Sequence, residues 1–322
     1  MVIQMIHNQH YKFYIASCDK EGGIYSCGFK EGKAEIINKT TLDRPMYMVS
    51  EQNKMYVILR APFKENDYSG IISFETENGE LKNKSKINST DGVVGCHLCV
   101  LDENVYCVNY LSGSVTKLCD KVVTHKGKGK NPQRQEMPHT HYINSFDGKY
   151  LLCTDLGTDE IYTYDRNLNE ISRASVPSGH GARHLEFANG YIYCANELES
   201  TVSYFKYDDG RLQYINTVNA LPEDAETEST VAAIRIKGEY LYVSNRGHDS
   251  IAVFKLSDNQ PKFITTVNCG GNSPRDFNIF GDLLICTNEN SDNVTFFNLK
   301  NGIPEKLDCE LNIKSPLCVI GG

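Results

Sequence analysis

The sequence predicts an all-β chain, a seven-bladed β-propeller of four-stranded antiparallel blades. Three observations carry this. First, a short aromatic-aliphatic run closing on a small or polar residue recurs seven times. It reads Tyr14-Ile15-Ala16-Ser17, Tyr56-Val57-Ile58-Leu59, Tyr106-Cys107-Val108-Asn109 and Leu152-Cys153-Thr154-Asp155, then Tyr193-Cys194-Ala195-Asn196, Tyr242-Val243-Ser244-Asn245 and Ile285-Cys286-Thr287-Asn288. Its last positions are 17, 59, 109, 155, 196, 245 and 288, so successive runs lie 42, 50, 46, 41, 49 and 43 residues apart, the period of a propeller blade. Second, each unit is built of strands. Around the fifth run, His184–Phe187, Tyr191–Asn196, Val202–Tyr207 and Leu212–Val218 are rich in Tyr, Val, Ile and Phe, and turns at Asn189-Gly190 and Asp208-Asp209-Gly210 separate them. Third, no stretch shows helical periodicity.

The units fill the chain without an interdomain linker, so residues 1–322 are expected to form one domain. The longest irregular pieces are 120–138 and 219–230. After the seventh run there is room for strands near 293–299 and 306–313. The tail Pro316-Leu317-Cys318-Val319 reads as the first strand of the blade that contains Tyr14, so both termini share one blade and no sheet edge stays free.

Composition narrows the partners. A net charge of −8 across 322 residues argues against nucleic acid or an anionic membrane. Lys126, Lys128 and Lys130, the nearest approach to a basic cluster, fit a solvated loop. No apolar run reaches the ~20 residues of a membrane span, and Met1–Tyr14 lacks a cationic start followed by an apolar core. Twelve cysteines without such a leader fit a reducing, cytoplasmic setting. Four of them (Cys107, Cys153, Cys194 and Cys286) hold one position of the repeated strand, where a small buried hydrophobe belongs. Cys96 and Cys99 have C-x-x-C spacing, but no second pair follows at zinc-ribbon distance.

Let the strands of a blade be A to D from the channel outward. The start of A and the end of B then share one rim, and the short A–B turns (Asp147-Gly148, Asn189-Gly190, Lys237-Gly238 and Gly281-Asp282) lie on the other. The first rim collects Pro138-His139-Thr140-His141, Gly179 to His184, and Ser273 to Asp276 from A starts. Asp155-Leu156-Gly157, Asn196-Glu197-Leu198, Ser244 to Asp249, and Asn288-Glu289-Asn290 come from B ends. Three arginines (Arg183, Arg246 and Arg275) at one channel mouth repel each other unless anions or carboxylates compensate them. Their planar forks suit phosphate or carboxylate. Local ion pairs of Arg246 with Asp249 and of Arg275 with Asp276 are the structural alternative.

From Pro138 to Val319 the chain resembles the seven-bladed lactonases related to bacterial 6-phosphogluconolactonase, whose fold class includes a carboxymuconate-lactonizing enzyme. The likeness rests on H-x-H at 139–141, D-L-G-x-D at 155–159, G-x-G-x-R-H at 179–184 and N-E-L at 196–198. It extends to S-N-R-G-H-D-S-I at 244–251, P-R-D-F at 274–277 and P-x-C-V at 316–319. Two departures bear on the substrate: Ala182 stands where the family has Pro, and Ala232-Ala233-Ile234-Arg235 lacks its Glu.

The resemblance implies a lactone hydrolase for a sugar acid lactone, 6-phosphogluconolactone first, with a carboxymuconate-type cycloisomerase as the alternative. A ligand-binding or scaffold propeller is the non-catalytic reading, although the absence of Trp removes the W-D signature of the common scaffold repeat. The catalytic candidates are Glu197, His141, His139 and Arg246. The candidates for substrate binding are Arg183, His184, Arg275, Asp155 and His97. Glu197 is either a base or acid for water and leaving group, or an ion-pair partner of Arg183 or Arg246. His139 and His141, two apart, face one side if their strand is regular. The expected partner is a small anionic lactone, with no metal and no cofactor.

Overall fold

The computed structural model describes residues 10–77 and 79–322. The leader reading at Met1–Tyr14 therefore falls largely outside the described residues. Seven antiparallel sheets surround one channel. The C-terminal strand Pro316–Gly321 is the inner strand of the first blade and pairs with His10–Ser17. Ile15 lies opposite Val319 and Ala16 opposite Cys318, so the expected closure is what ties the ring. Strands Asn293–Lys300 and Ile303–Asn312 complete the seventh blade. The fifth blade runs Ala182–Ala188, Tyr191–Asn196, Thr201–Asp208 and Arg211–Asn219, close to the sequence reading.

The second blade departs from four strands. Its third strand, Tyr68–Glu77, pairs along its outer edge with two short segments, Glu80–Lys82 and Asn88–Val93. Asn83 at φ 49° turns the chain between them. Among the described residues the helical content is one 3₁₀ turn at Glu289–Ser291.

The core lies between neighbouring blades. Tyr193, Ala195 and Val202 of the fifth blade pack on Val231, Ile234, Val243 and Phe254 of the sixth. Phe13 and Phe29 of the first pack on Ile285 and Phe296 of the seventh. Apolar residues on both faces of each sheet make every blade depend on its two neighbours, so the ring is stable only when closed. The repeated cysteines Cys107, Cys153, Cys194 and Cys286 are fully buried here, and all twelve are free thiols.

Candidate active site

The inner strand of every blade opens with a β-bulge, and the bulges make the floor of the site. In the fourth blade Thr140 pairs with Asp155 and Tyr142 with Thr154, which leaves His141 as the extra residue. The same count leaves Arg183 in the fifth blade, Arg275 in the seventh and Leu317 in the first. In the second and third blades it leaves Met46 and Cys96. In the sixth, Ala232 and Ala233 stand opposite Ser244 alone, again one residue in excess. A bulge breaks the alternation of a strand and re-aims one side chain, here toward the axis: Met46, Cys96, His141, Arg275 and Leu317 all line one cavity of about 450 Å³. Pro45, Pro274 and Pro316 begin their strands, the strand position that tolerates a missing N–H.

A second ring stands above the floor, one residue past the closing residue of each repeated run. Cys18, Arg60, Tyr110, Glu197, Arg246 and Glu289 line the cavity from there, while Leu156, their counterpart in the fourth blade, is buried. Backbone bonds hold this ring in place. Cys18, Arg60, Tyr110, Leu156, Glu197 and Glu289 each donate their N–H to the carbonyl just ahead of their blade's inner strand, on Ser315, Arg44, Val94, His139, Gly181 and Ser273. Five of those carbonyl residues (Ser315, Arg44, Val94, Gly181 and Ser273) have positive φ. For the β-branched Val94 at φ 58° this is a strained conformation of the kind stored at functional sites. At Gly181 glycine is required twice over: φ is +71° and an added Cβ would sit 2.7 Å from Leu198 Cγ.

Glu197 is the hub. It is buried, and its Oε2 accepts from Arg183 Nε at 2.8 Å and lies 3.1 Å from Arg246 Nη2. Its Oε1 accepts from Arg134 Nη2 at 2.6 Å. Burial alone would raise the Glu197 carboxyl, but Arg246, Arg183, His141 and Arg134 together outweigh it and hold the acid well below its usual range. Glu197 is therefore a fixed carboxylate. Burial, reinforced by Arg246 and Arg275 and opposed by Glu197, pulls Arg183 down to about 9. Arg183 also donates through Nη1 to the bulged Ala232 carbonyl at 2.6 Å. Arg275 pairs with Glu289 at 3.2 Å.

Four arginines (Arg60, Arg134, Arg246 and Arg275) and two glutamates, Glu197 and Glu289, thus line one opening, and a fifth arginine, Arg183, is buried against Glu197 beneath it. In a chain of net charge −8 this is a local surplus of three positive charges (five minus two), an arrangement whose chemistry suits an anion.

His141 joins them on the floor. It is buried, and Nδ1 has no hydrogen-bond partner among the described residues. Burial first, then Arg183, pushes its pKa well below the ordinary histidine value; Glu197 works the other way without reversing it. The imidazole is neutral at neutral pH, with a lone pair to offer.

The structure corrects the remaining candidates. His139 does not share the face of His141, because His141 is itself the bulged residue and His139 precedes the strand. It stacks on Tyr110, with ring centroids 4.5 Å apart, and is held by Tyr110 O at 3.1 Å and Glu136 Oε1 at 3.2 Å. Asp155 is a turn-former: Oδ1 accepts from the N–H groups of His139, Gly157 and Thr158, and Oδ2 meets His125 Nδ1 at 2.7 Å. His184 and His97 sit below the floor. His184 borders a pocket of about 20 Å³ under Arg183, and His97 opens on the opposite mouth. The local ion pairs do not form either. Asp249 accepts from the Ser273 and Gly247 N–H groups, and Asp276 pairs with Arg235 at 2.8 Å.

Sequence reasoning missed Arg134, Arg60 and Tyr110. Arg134 rides on the irregular piece between the third and fourth blades. Arg60 and Tyr110 had a readable signal, since each follows a closing residue of the repeated run, as Glu197 and Arg246 do.

The family model described as "Lactonase, 7-bladed beta-propeller" matches residues 12–320. An uncharacterized protein of Staphylococcus aureus (strain USA300) is 35% identical over 313 residues, covering 87% of this chain and 90% of that one. Among solved structures, a protein from Lactobacillus plantarum is 26% identical with a TM-score of 0.87, over 97% of this chain and 99% of that one. A "putative 6-phosphogluconolactonase" from Bacteroides fragilis is 25% identical with a TM-score of 0.86, over 97% of each chain. The periplasmic gluconolactonase of Pseudomonas aeruginosa, 22% identical with a TM-score of 0.88 over 97% of this chain and 99% of that one, shares the fold. With seven closed blades and a match that runs nearly end to end, this chain belongs to the seven-bladed β-propeller lactonase family.

Proposed function

We propose that the protein hydrolyses an anionic sugar acid lactone, with 6-phosphogluconolactone as the first candidate. The observation that carries this reading is the surplus of arginines beside a neutral, buried histidine in one cavity. The name of the Bacteroides fragilis relative supports the choice of substrate.

His141 takes a proton from water as the water oxygen adds to the lactone carbonyl carbon. A base that is neutral at the working pH suits this step. Negative charge grows on the carbonyl oxygen, where Arg246 stabilises it from a position that Glu197 fixes beforehand, with the buried Arg183 charge adding to the field from beneath. The ring C–O bond then breaks, and the leaving oxygen recovers the proton from His141. The product is a hydroxy acid, which ionises and releases one proton to solvent. Arg60, Arg134 and Arg275 hold the substrate's phosphate or carboxylate by paired N–H donors. No G-x-S-x-G elbow occurs, so water attacks directly and no acyl-enzyme forms.

An indicator assay of proton release tests this, using phosphorylated and plain sugar lactones beside a carboxymuconate lactone. The expected result is turnover of the phosphorylated sugar lactone, reduced about 10²–10³-fold in Arg246→Ala and also lowered in Glu197→Ala, with circular dichroism unchanged. Turnover of the carboxymuconate compound alone, or full activity in both variants, would overturn the reading.

A further inference from the structure

The arginine cavity is not closed at its side. Arg134, Arg246 and Thr230 line it and also line a neighbouring groove of about 670 Å³. This groove runs across the rim between the connections 125–139 and 220–229. Asn131, Gln133 and Glu199 carry it on into a further depression of about 390 Å³. The cavity alone is already within the size range of a small-ligand site, so a bare sugar lactone would leave this continuous extension empty.

The chemistry changes along the path. Past Arg134 and Arg246 the walls offer Gln133, Ser229 and the carboxylates Glu199 and Glu228, with Leu198 and Leu221 between them. Two acids repel an anion, so the charged end of a ligand belongs in the arginine cavity. Carboxylate, amide and hydroxyl groups beside small apolar patches suit a neutral group rich in hydroxyls, whose O–H groups are donated to acids and whose ring faces cover leucine.

Both walls are built rather than loose. On one side Gln135 Nε2 donates to Leu156 O at 2.8 Å and to Asp159 Oδ1 at 2.7 Å. Asn131 Oδ1 accepts from the Gln133 and Arg134 N–H groups at 3.0 and 3.1 Å. On the other side Ser200 Oγ donates to Ser229 O at 2.8 Å, and Asn245 Nδ2 to Ala220 O at 2.9 Å. A pre-formed wall avoids the ordering cost that weakens binding to mobile loops.

We infer that the groove is a glycosyl subsite and that the natural substrate is a glycosylated, anionic sugar acid lactone, its lactone ring and anionic group in the arginine cavity and its second sugar between Gln133 and Glu228, so that neutral disaccharide lactones probe the groove by itself. This rests on the lactonase reading but not on the identity of the anionic group. The test compares kcat/KM for gluconolactone with that for two disaccharide lactones, maltobionolactone and cellobionolactone, in the wild type and in Gln133→Ala and Glu228→Gln. The inference expects at least one disaccharide lactone to exceed gluconolactone about ten-fold in the wild type. Each substitution should remove most of that advantage while gluconolactone turnover stays within two-fold. Hydrolysis of gluconolactone with no disaccharide preference, or a preference that neither substitution touches, overturns the subsite and leaves the lactonase reading standing. Hydrolysis of none of the three, with 6-phosphogluconolactone also unchanged, overturns both.

Discussion

The two mouths of the channel are made by opposite ends of the same inner strands, yet they treat charge differently. At the lower mouth Arg235 is matched by Asp276, 2.8 Å away, with Glu186 facing the same space. Its guanidinium is consumed by the fold. At the upper mouth five arginines share two glutamates, so cationic capacity is left for a ligand. The backbone differs in parallel. Tight left-handed turns such as Asn189-Gly190 close the lower end, whereas β-bulges open the upper one. The ends differ both in the number of arginines and in how far carboxylates match them.

Four results would sharpen or break this contrast. The largest effect is expected at His141: His141→Ala should lower kcat/KM about 10²–10⁴-fold with the thermal midpoint little changed, and a loss under three-fold would remove it from the chemistry. Arg235→Met should do the reverse. Stranding the buried Asp276 carboxylate costs about 3–5 kcal/mol of stability in urea titrations, while turnover per folded molecule holds; a selective loss of activity would make the lower mouth functional.

Acid should separate stability from activity. His97, His141 and His184 are all held well below the ordinary value of 6.5, by burial first and then by arginines nearby. Because their folded pKa values are depressed, their contribution to stability is complete above pH 6.5 and is lost as pH falls toward those values. Burial raises Glu186 to about 7, and its contribution has the opposite sign, being present in acid and lost as pH rises through 7. Between pH 5 and 6.5 the unfolded chain therefore binds more protons than the folded one, by up to about two (three minus one), so stability falls with acid by up to roughly 3 kcal/mol per pH unit. Urea midpoints at pH 8 and 5.5 check this, and kcat/KM for gluconolactone, which has no titrating phosphate, should stay flat over the range in which the protein remains folded. A kinetic pKa near 6.5 would contradict a pre-neutralised His141. The smallest effect belongs to His139→Ala, expected to change kcat/KM less than three-fold, since His139 only braces Tyr110. A loss as large as that of His141→Ala would restore the paired-histidine reading.

The ring, its closure and the functional rim were legible because they follow from period and alternation. Seven runs about 46 residues apart require seven blades, and Pro316–Val319 has nowhere to pair but beside Tyr14. Arg183, Glu197, Arg246, Arg275 and His141 were legible by their phase within the run. What failed was orientation at the scale of one residue. A bulge inverts every alternation argument across it, so His139 and His141 could not be put on one face by counting in twos. Asp155 closes its run and Glu197 follows the close of the next, yet one caps a turn and the other anchors arginines, a difference set by neighbours some distance away in sequence. Arg134 was hidden because an irregular connection carries no periodicity to read.

The most direct test of the central claim, that unspent arginines beside a neutral histidine receive an anionic lactone, is the ratio of kcat/KM for 6-phosphogluconolactone to that for gluconolactone. We expect hydrolysis above the spontaneous rate, with the phosphorylated lactone favoured at least about ten-fold at low salt and less so as salt screens the arginines. Equal rates for the two lactones at every salt concentration, or no rate above spontaneous opening, would contradict the account.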